Sequence, residues 1–358
     1  MAPIDWRDLY AQNQAAIRRA GVSLPSPDPV TDLLHPALRG VHHGLPSPVV
    51  DRPGDVRTFT VAGRARQALV YTPPGIGIET TVPLVCMLHG CTQDPAGFAA
   101  ATRIAAAADR HGFVAVLPAQ DRGANPMGCW NWFDRRHQTR GDGEPAAIVG
   151  IVGQMLGATE LRIDPRRVYV CGLSSGGAMA SILAATYPDV FAAAAIHSGL
   201  AFGSATDLPS AHAAMANGAP DAAGQGSAAH AAMGPHARAV PTIVVHGRAD
   251  RTVAPVNADH ALRQSMAANR IADPHCRLLD PSRPASVSDG RADGGLAYRR
   301  ARWTDDRGAL VHELILVDGL GHAWSGGLPG GSYTDPRGPD ATEAIAEFFA
   351  EATRSVRA

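Results

Sequence analysis

Three short stretches carry residues whose types and order suit acyl transfer. "YVCGLSSGGAM" (169–179) holds Gly172-Leu173-Ser174-Ser175-Gly176, a G-x-S-x-G pentapeptide in one frame only. Ser175 would need glycine at 173, where leucine stands, so the frame selects Ser174 as candidate nucleophile. The pattern has a steric reason. A serine on a sharp strand-to-helix turn takes strained backbone angles, and the close approach of helix and strand requires glycine two residues either side. The apolar run "RVYVC" precedes the turn and a helical pattern follows it, which is the context the chemistry needs.

A serine hydroxyl is a weak nucleophile at neutral pH and needs a base, which an acid must orient. On a parallel sheet with this turn, the acid and then the base follow in loops after later strands. "TIVVHGRADRTV" (242–253) places Asp250 three residues beyond Gly247, and "LILVDGLGHAWSGG" (314–327) places His322 just beyond the next apolar strand. Asp259 and His260 fall inside a predicted helix, His312 begins a strand, and Asp318 stands too close to His322 for a separate orienting loop. His246 is the rival base. A tetrahedral oxyanion also needs donors. The pattern nominates the backbone N–H of Ser175 and that of Cys91, in "MLHGCTQD" (87–94).

The elements around these stretches must place them on one sheet edge. "VRTFTVAGRARQALVYTPP" reads as a hairpin about Ala62-Gly63. Strands at 82–90, 113–119, 167–172, 191–199, 240–247 and 310–319 then alternate with helices at 95–112, 144–160, 176–187, 257–270 and 340–353. Continuous apolar strands separated by helices predict a doubly wound, mostly parallel α/β sheet covered on both faces. Residues 5–20 could form an amphipathic helix, and 24–55 hold seven prolines, so 1–54 reads as a helix plus a wrapping segment before a catalytic domain at 55–358. Residues 201–238, rich in Ala, Gly and His, read as a solvated insertion with one short helix; the functional alternative is a lid over the site.

Of 358 residues, 45% are apolar and 18% charged, with a formal net charge of −1. That balance suits a large buried core and gives no sign of a nucleic-acid binder or a polybasic membrane surface. The fifteen histidines show no metal-ligand spacing, so no metal is expected, and no run of apolar residues is long enough to span a membrane. The N-terminal stretch lacks the features of a secretory signal, which leads to an expectation of a cytoplasmic protein, or an extracellular one if the chain has been trimmed.

"LHGCTQ", "CWNWF", "CGLSSGGAM", "HGRADRTV" and "GLGHAWSGG", in this order, resemble the polyhydroxybutyrate depolymerase family of α/β-hydrolase esterases across about residues 55–350. The resemblance implies an α/β-hydrolase fold and hydrolysis of short-chain hydroxyalkanoate polyesters or oligomers, without a cofactor. Relatives with similar motifs include feruloyl and acetylxylan esterases. It supports Ser174, Asp250 and His322 as nucleophile, acid and base, with Cys91 and Ser175 as oxyanion donors. Trp130 and Trp132 either bury one face of an edge strand or offer an indole to the substrate; Trp324, two residues past the base, is expected to line the cleft. A Cys91–Cys129 disulfide would pin the oxyanion loop, whereas two free thiols suit a reducing cytoplasm. Extracellular members usually carry a linker and a polymer-binding module after the catalytic domain. None is seen before Ala358, so oligomers, amorphous polyester or small esters are expected over crystalline polymer.

Overall fold

The computed structural model describes residues 54–221 and 224–354. The predicted N-terminal helix, and all but the last two residues of the proline-rich segment, lie outside the described residues.

Ten strands form one sheet: β1 (Asp55–Val61), β2 (Arg64–Tyr71), β3 (Thr81–Leu88), β4 (Val114–Pro118), β5 (Arg162–Leu173), β6 (Ala193–His197), β7 (Thr242–Gly247), β8 (Ser286–Arg291), β9 (Ala297–Thr304) and β10 (Leu310–Val317). Their order across the sheet is β1-β2-β4-β3-β5-β6-β7-β10-β9-β8. The six central strands pair in parallel, and antiparallel hairpins flank them at each edge. The hairpin at one edge was foreseen. β8–β9 was not, because "SVSDGR" is polar and almost wholly exposed and so shows no apolar alternation.

The period-two geometry of the strands sorts the apolar runs onto the two faces of the sheet. In β3, Val82, Leu84, Cys86 and Leu88 face one core, while Val85 and Met87 face the other. Helices α3 (Gly143–Leu156) and α4 (Ser175–Thr186) cover the first face. Helices α1 (Pro95–Thr102), α2 (Ile104–His111) and α8 (Ala341–Arg354) cover the second. Both faces of the central strands are therefore buried, which is why their sequences read as unbroken apolar runs.

Two expectations change. The single predicted helix over 95–112 is two helices, broken at Arg103, which sits in the left-handed region at φ 56°. The break frees the carbonyls of Ala101 and Thr102 to accept from the Leu328 amide and the Thr342 hydroxyl, each at 2.7 Å. It also sends the Arg103 guanidinium to the Gly326 carbonyl and the Asp340 carboxylate, both at 2.6 Å. The 201–238 segment carries more structure than an insertion with one short helix. It carries two helices, α5 (Leu208–Asn217) and α6 (Gly224–Met233), whose Ala211, Ala214, Ala229 and Met233 are buried in the first core. Helix α7 (Val256–Ala272) anchors it: Asn257 donates to the Ala214 and Met215 carbonyls, and Gln264 pairs with both backbone groups of Phe202 at 2.7 Å. Among the described residues no helix is long and apolar enough to cross a membrane.

Candidate active site

The strand order brings the three stretches together. The chain steps from β3 outward to β4, then returns to lay β5 on the other side of β3, so the loops after β3 and β5 diverge over a crevice at their carboxyl ends. Leu88 of β3 lies in register with Gly172 of β5, which places the "LHGCTQ" loop beside the serine turn. Ser174 takes φ 57°, ψ −117°, a strained conformation for a residue with a side chain. Both flanking glycines are sterically required. A Cβ on Gly172 would fall 2.4 Å from the Gly176 carbonyl carbon, and one on Gly176 would fall 2.2 Å from the Leu88 carbonyl oxygen. The turn is held by the Ser174 amide, which donates to the His197 carbonyl at 2.9 Å, while the Ser174 carbonyl opens helix α4 by accepting from Ala178.

His322 reaches this serine from the loop after β10. Its Nε2 lies 2.9 Å from the Ser174 Oγ, and its Nδ1 lies 2.7 Å from Oδ2 of Asp250. The other Asp250 oxygen accepts the amides of Thr252 and Val253, both at 2.9 Å. Burial alone would push the Asp250 carboxyl up, but His322 and the Val253 amide hold it below the usual carboxylate range. An ionised acid facing Nδ1 keeps the proton there, leaving Nε2 free to accept from the serine hydroxyl. His246, the rival base of the sequence reading, faces Val253 and Asp250. Its Nε2 donates to the Val253 carbonyl at 2.9 Å, it is fully buried beneath Asp250, and burial holds its imidazole neutral.

The amides of Cys91 and Ser175 have no hydrogen-bond partner among the described residues. The loop bearing Cys91 is held from several sides. Gln93 accepts the Gly90 amide at 2.9 Å and donates to the Ser332 carbonyl at 2.8 Å. His89 donates from Nδ1 to the Gly90 carbonyl and accepts the Gln120 amide at Nε2. Cys91 and Cys129 are joined by a disulfide, so the two-thiol alternative does not hold here. The Cys129 segment rests in turn on Glu144, a buried carboxylate that accepts from Gln120 and twice from Asn131.

Trp324 is not where the sequence put it, whereas Trp130 and Trp132 take the buried one of their two alternatives. Trp324 is 1% exposed. It stacks on His197 at 4.7 Å, meets Phe98 edge-on at 5.6 Å, and donates to the Thr342 hydroxyl, so it is core rather than cleft wall. Trp130 and Trp132 lie in an irregular loop rather than an edge strand, and both are buried. Trp130 donates to the His89 carbonyl at 3.1 Å and so props the Cys91 loop from beneath.

Two other residues at the site had no motif to mark them. His197 accepts the Ser325 amide at 3.0 Å and directs its other nitrogen to the Ser198 hydroxyl. Its backbone thus fixes the Ser174 turn while its ring fixes the loop that carries His322. Burial pushes its pKa down to about 3, so the ring is neutral. Tyr333 presents an exposed ring perpendicular to the His322 imidazole, centroids 6.3 Å apart. Among the described residues no group of three His, Cys, Asp or Glu side chains could hold a metal ion.

A mostly parallel sheet flanked by helices, with the serine on a strand-to-helix turn, is an α/β-hydrolase fold. The chain belongs to the family described as esterase PHB depolymerase, which it matches over residues 67–277. It is 40% identical over 248 residues to poly(3-hydroxyalkanoate) depolymerase C of Paucimonas lemoignei, covering 69% of this chain and 56% of that protein. It is 35% identical over 133 residues to feruloyl esterase B of Neurospora crassa, covering 37% of this chain and 44% of that one. The chain thus spans about half the length of the curated relatives it matches. Among solved structures, the acetyl xylan esterase of Aspergillus awamori superimposes with a TM-score of 0.65 at 21% identity, over 84% of this chain and all of that one, a likeness of fold.

Proposed function

We propose that the protein is a serine carboxylesterase acting on short-chain hydroxyalkanoate polyesters or their oligomers through Ser174, His322 and Asp250. The observation that carries this reading is the unbroken hydrogen-bond path from the Asp250 carboxylate through His322 to the Ser174 hydroxyl. His322 takes the proton of Ser174 as its oxygen attacks the ester carbonyl. The amides of Cys91 and Ser175 receive the oxyanion, each contributing about 3 kcal/mol to the transition state. The proton on Nε2 passes to the departing alkoxide, and the acyl group stays on Ser174. Water, deprotonated by the same nitrogen, then releases the acid.

The polyester substrate is supported by the name of the Paucimonas relative. The similarity to feruloyl esterase B supports a second reading, an esterase of carbohydrate side chains. The Cys91–Cys129 disulfide favours an oxidising compartment over the cytoplasm.

The test compares turnover of p-nitrophenyl butyrate with acid release from amorphous poly(3-hydroxybutyrate), in wild type, Ser174→Ala and Ser175→Ala. Activity on both substrates, lost in Ser174→Ala but kept in Ser175→Ala, is expected. Ser175→Ala preserves the amide that receives the oxyanion. Turnover of the small ester alone would move the assignment to a side-chain or oligomer esterase, and full activity in Ser174→Ala would overturn the nucleophile.

A further inference from the structure

Six residues other than glycine take positive φ among the described residues, and four of them, Thr92, Ser174, Ser198 and Tyr333, lie in the loops that build the site. Ser174 has an evident reason to be strained. Tyr333, at φ 52°, is the only aromatic residue of the six. A bulky side chain in the left-handed region is a conformational outlier, and such outliers concentrate where surrounding structure enforces them for function.

Here the enforcement is visible. The Tyr333 carbonyl accepts the Trp324 amide at 2.7 Å, and the preceding Ser332 carbonyl accepts the Gln93 side chain at 2.8 Å. The loop is thus tied on one side to the strand that follows the base and on the other to the loop of the proposed oxyanion donor. Downstream it continues through the bridge of β11 (Trp324–Ser325) with β12 (Thr334–Asp335). Thr334 braces it again by donating to the Leu328 carbonyl. On this loop the acceptors of these bonds are backbone carbonyls of residues 328–335. None needs the phenol ring; Tyr333 is 40% exposed, and its hydroxyl has no hydrogen-bond partner among the described residues. The fold holds the backbone in a strained state and leaves a large apolar ring standing beside the base.

Which half of an ester meets that ring follows from the chemistry, given the esterase reading on which this inference rests. Nε2 of His322 must protonate the departing alkoxide, so the alcohol half lies within hydrogen-bond reach of the imidazole. The carbonyl oxygen lies toward the amides of Cys91 and Ser175, which receive the oxyanion. We infer that Tyr333 is a specificity-determining residue that forms the wall of the leaving-group subsite and packs on an apolar or hydroxyacyl alcohol, such as the next repeat unit of a polyester. It takes the place in substrate binding that the buried Trp324 cannot fill.

The test uses two butyrate esters that form the same acyl-enzyme, benzyl butyrate and methyl butyrate. Tyr333→Gly removes the ring, keeps the carbonyl that holds Trp324, and suits the left-handed backbone. Tyr333→Phe keeps the apolar ring and serves as the conservative rescue. In Tyr333→Gly, kcat/KM for benzyl butyrate is expected to fall about ten-fold further than for methyl butyrate, as loss of an apolar pocket wall would cause. Tyr333→Phe should restore most of that difference. An equal loss on both esters, or a loss that appears in hydrolysis of the shared butyryl-enzyme, would overturn the inference, because the ring would then serve only to place His322. No loss on either would overturn it as well. Wild-type protein that hydrolyses neither ester would instead remove the esterase reading and this inference with it.

Discussion

Replacing Asp250 by asparagine is a sharp test of the proposed relay, because the structure dictates which way the new amide must face. Oδ1 of Asp250 accepts two backbone amides, those of Thr252 and Val253, at 2.9 Å each. An asparagine NH2 cannot stand there without opposing two donors, so its carbonyl oxygen must take that position. Its NH2 then occupies the place of Oδ2 and donates to Nδ1 of His322, 2.7 Å away. The imidazole is forced into the tautomer with its proton on Nε2, facing the Ser174 hydroxyl. It can no longer accept the serine proton, although every heavy atom keeps its place. A wrong tautomer in an equivalent relay costs about 10⁴ in kcat, or about 5.5 kcal/mol of barrier at 1.36 kcal/mol per decade. Steady-state hydrolysis of p-nitrophenyl butyrate measures the loss, with circular dichroism and urea unfolding to verify the fold. The NH2 also comes within reach of His246 Nε2, 3.5 Å from the replaced oxygen, so a stability cost of about 1–3 kcal/mol is expected from donor facing donor. A folded Asp250→Asn protein retaining more than about a tenth of wild-type kcat would refute the relay.

Other consequences are equally direct. Gly176→Ala drives a Cβ to 2.2 Å from a backbone oxygen that cannot swing away, so the variant should lose about 3 kcal/mol or fail to express folded; wild-type urea stability would refute the close approach. The disulfide closes a separation of 38 residues, for which chain entropy gives about 4 kcal/mol, so Cys129→Ser should lower the urea midpoint and esterase activity together. An unchanged midpoint would show that the bridge does not form in solution. His197 and His312 are buried, with pKa values pushed down to about 3 from the ordinary 6.5. Below pH 6.5 the unfolded chain binds protons that the folded chain refuses, so stability falls with pH until about pH 3. At pH 5 each group should cost about 2 kcal/mol relative to pH 8. Urea unfolding at the two pH values measures this, and His312→Leu should remove its share; an identical pH dependence in the variant would contradict the burial argument.

The parts of this molecule that can be read from its sequence are those where chemistry is written at a strand end. Ser174, Asp250 and His322 each follow an apolar run by a few residues, and parallel pairing places all such loops on one sheet edge. Their meeting was legible because strand order and loop position suffice to bring them close. The parts that could not be read depend on small elements with no periodic signal. Trp324 was expected in the cleft because it lies two residues from His322. It opens a two-residue strand whose pairing with Thr334 turns the indole inward against His197 and Phe98. Two residues carry no alternation, so nothing local could tell inward from outward. The break at Arg103 was hidden for a related reason. Alanine-rich sequence favours one continuous helix, and the gain from breaking it lies more than 200 residues away, in Gly326, Leu328 and Thr342. Tyr333 carries no signal of its own, because "GGSYTDP" (330–336) resembles an ordinary turn. Its strain becomes visible only when the bonds from Gln93 and Trp324 hold the turn beside His322. Distance in the chain, rather than weakness of the physical signal, concealed it.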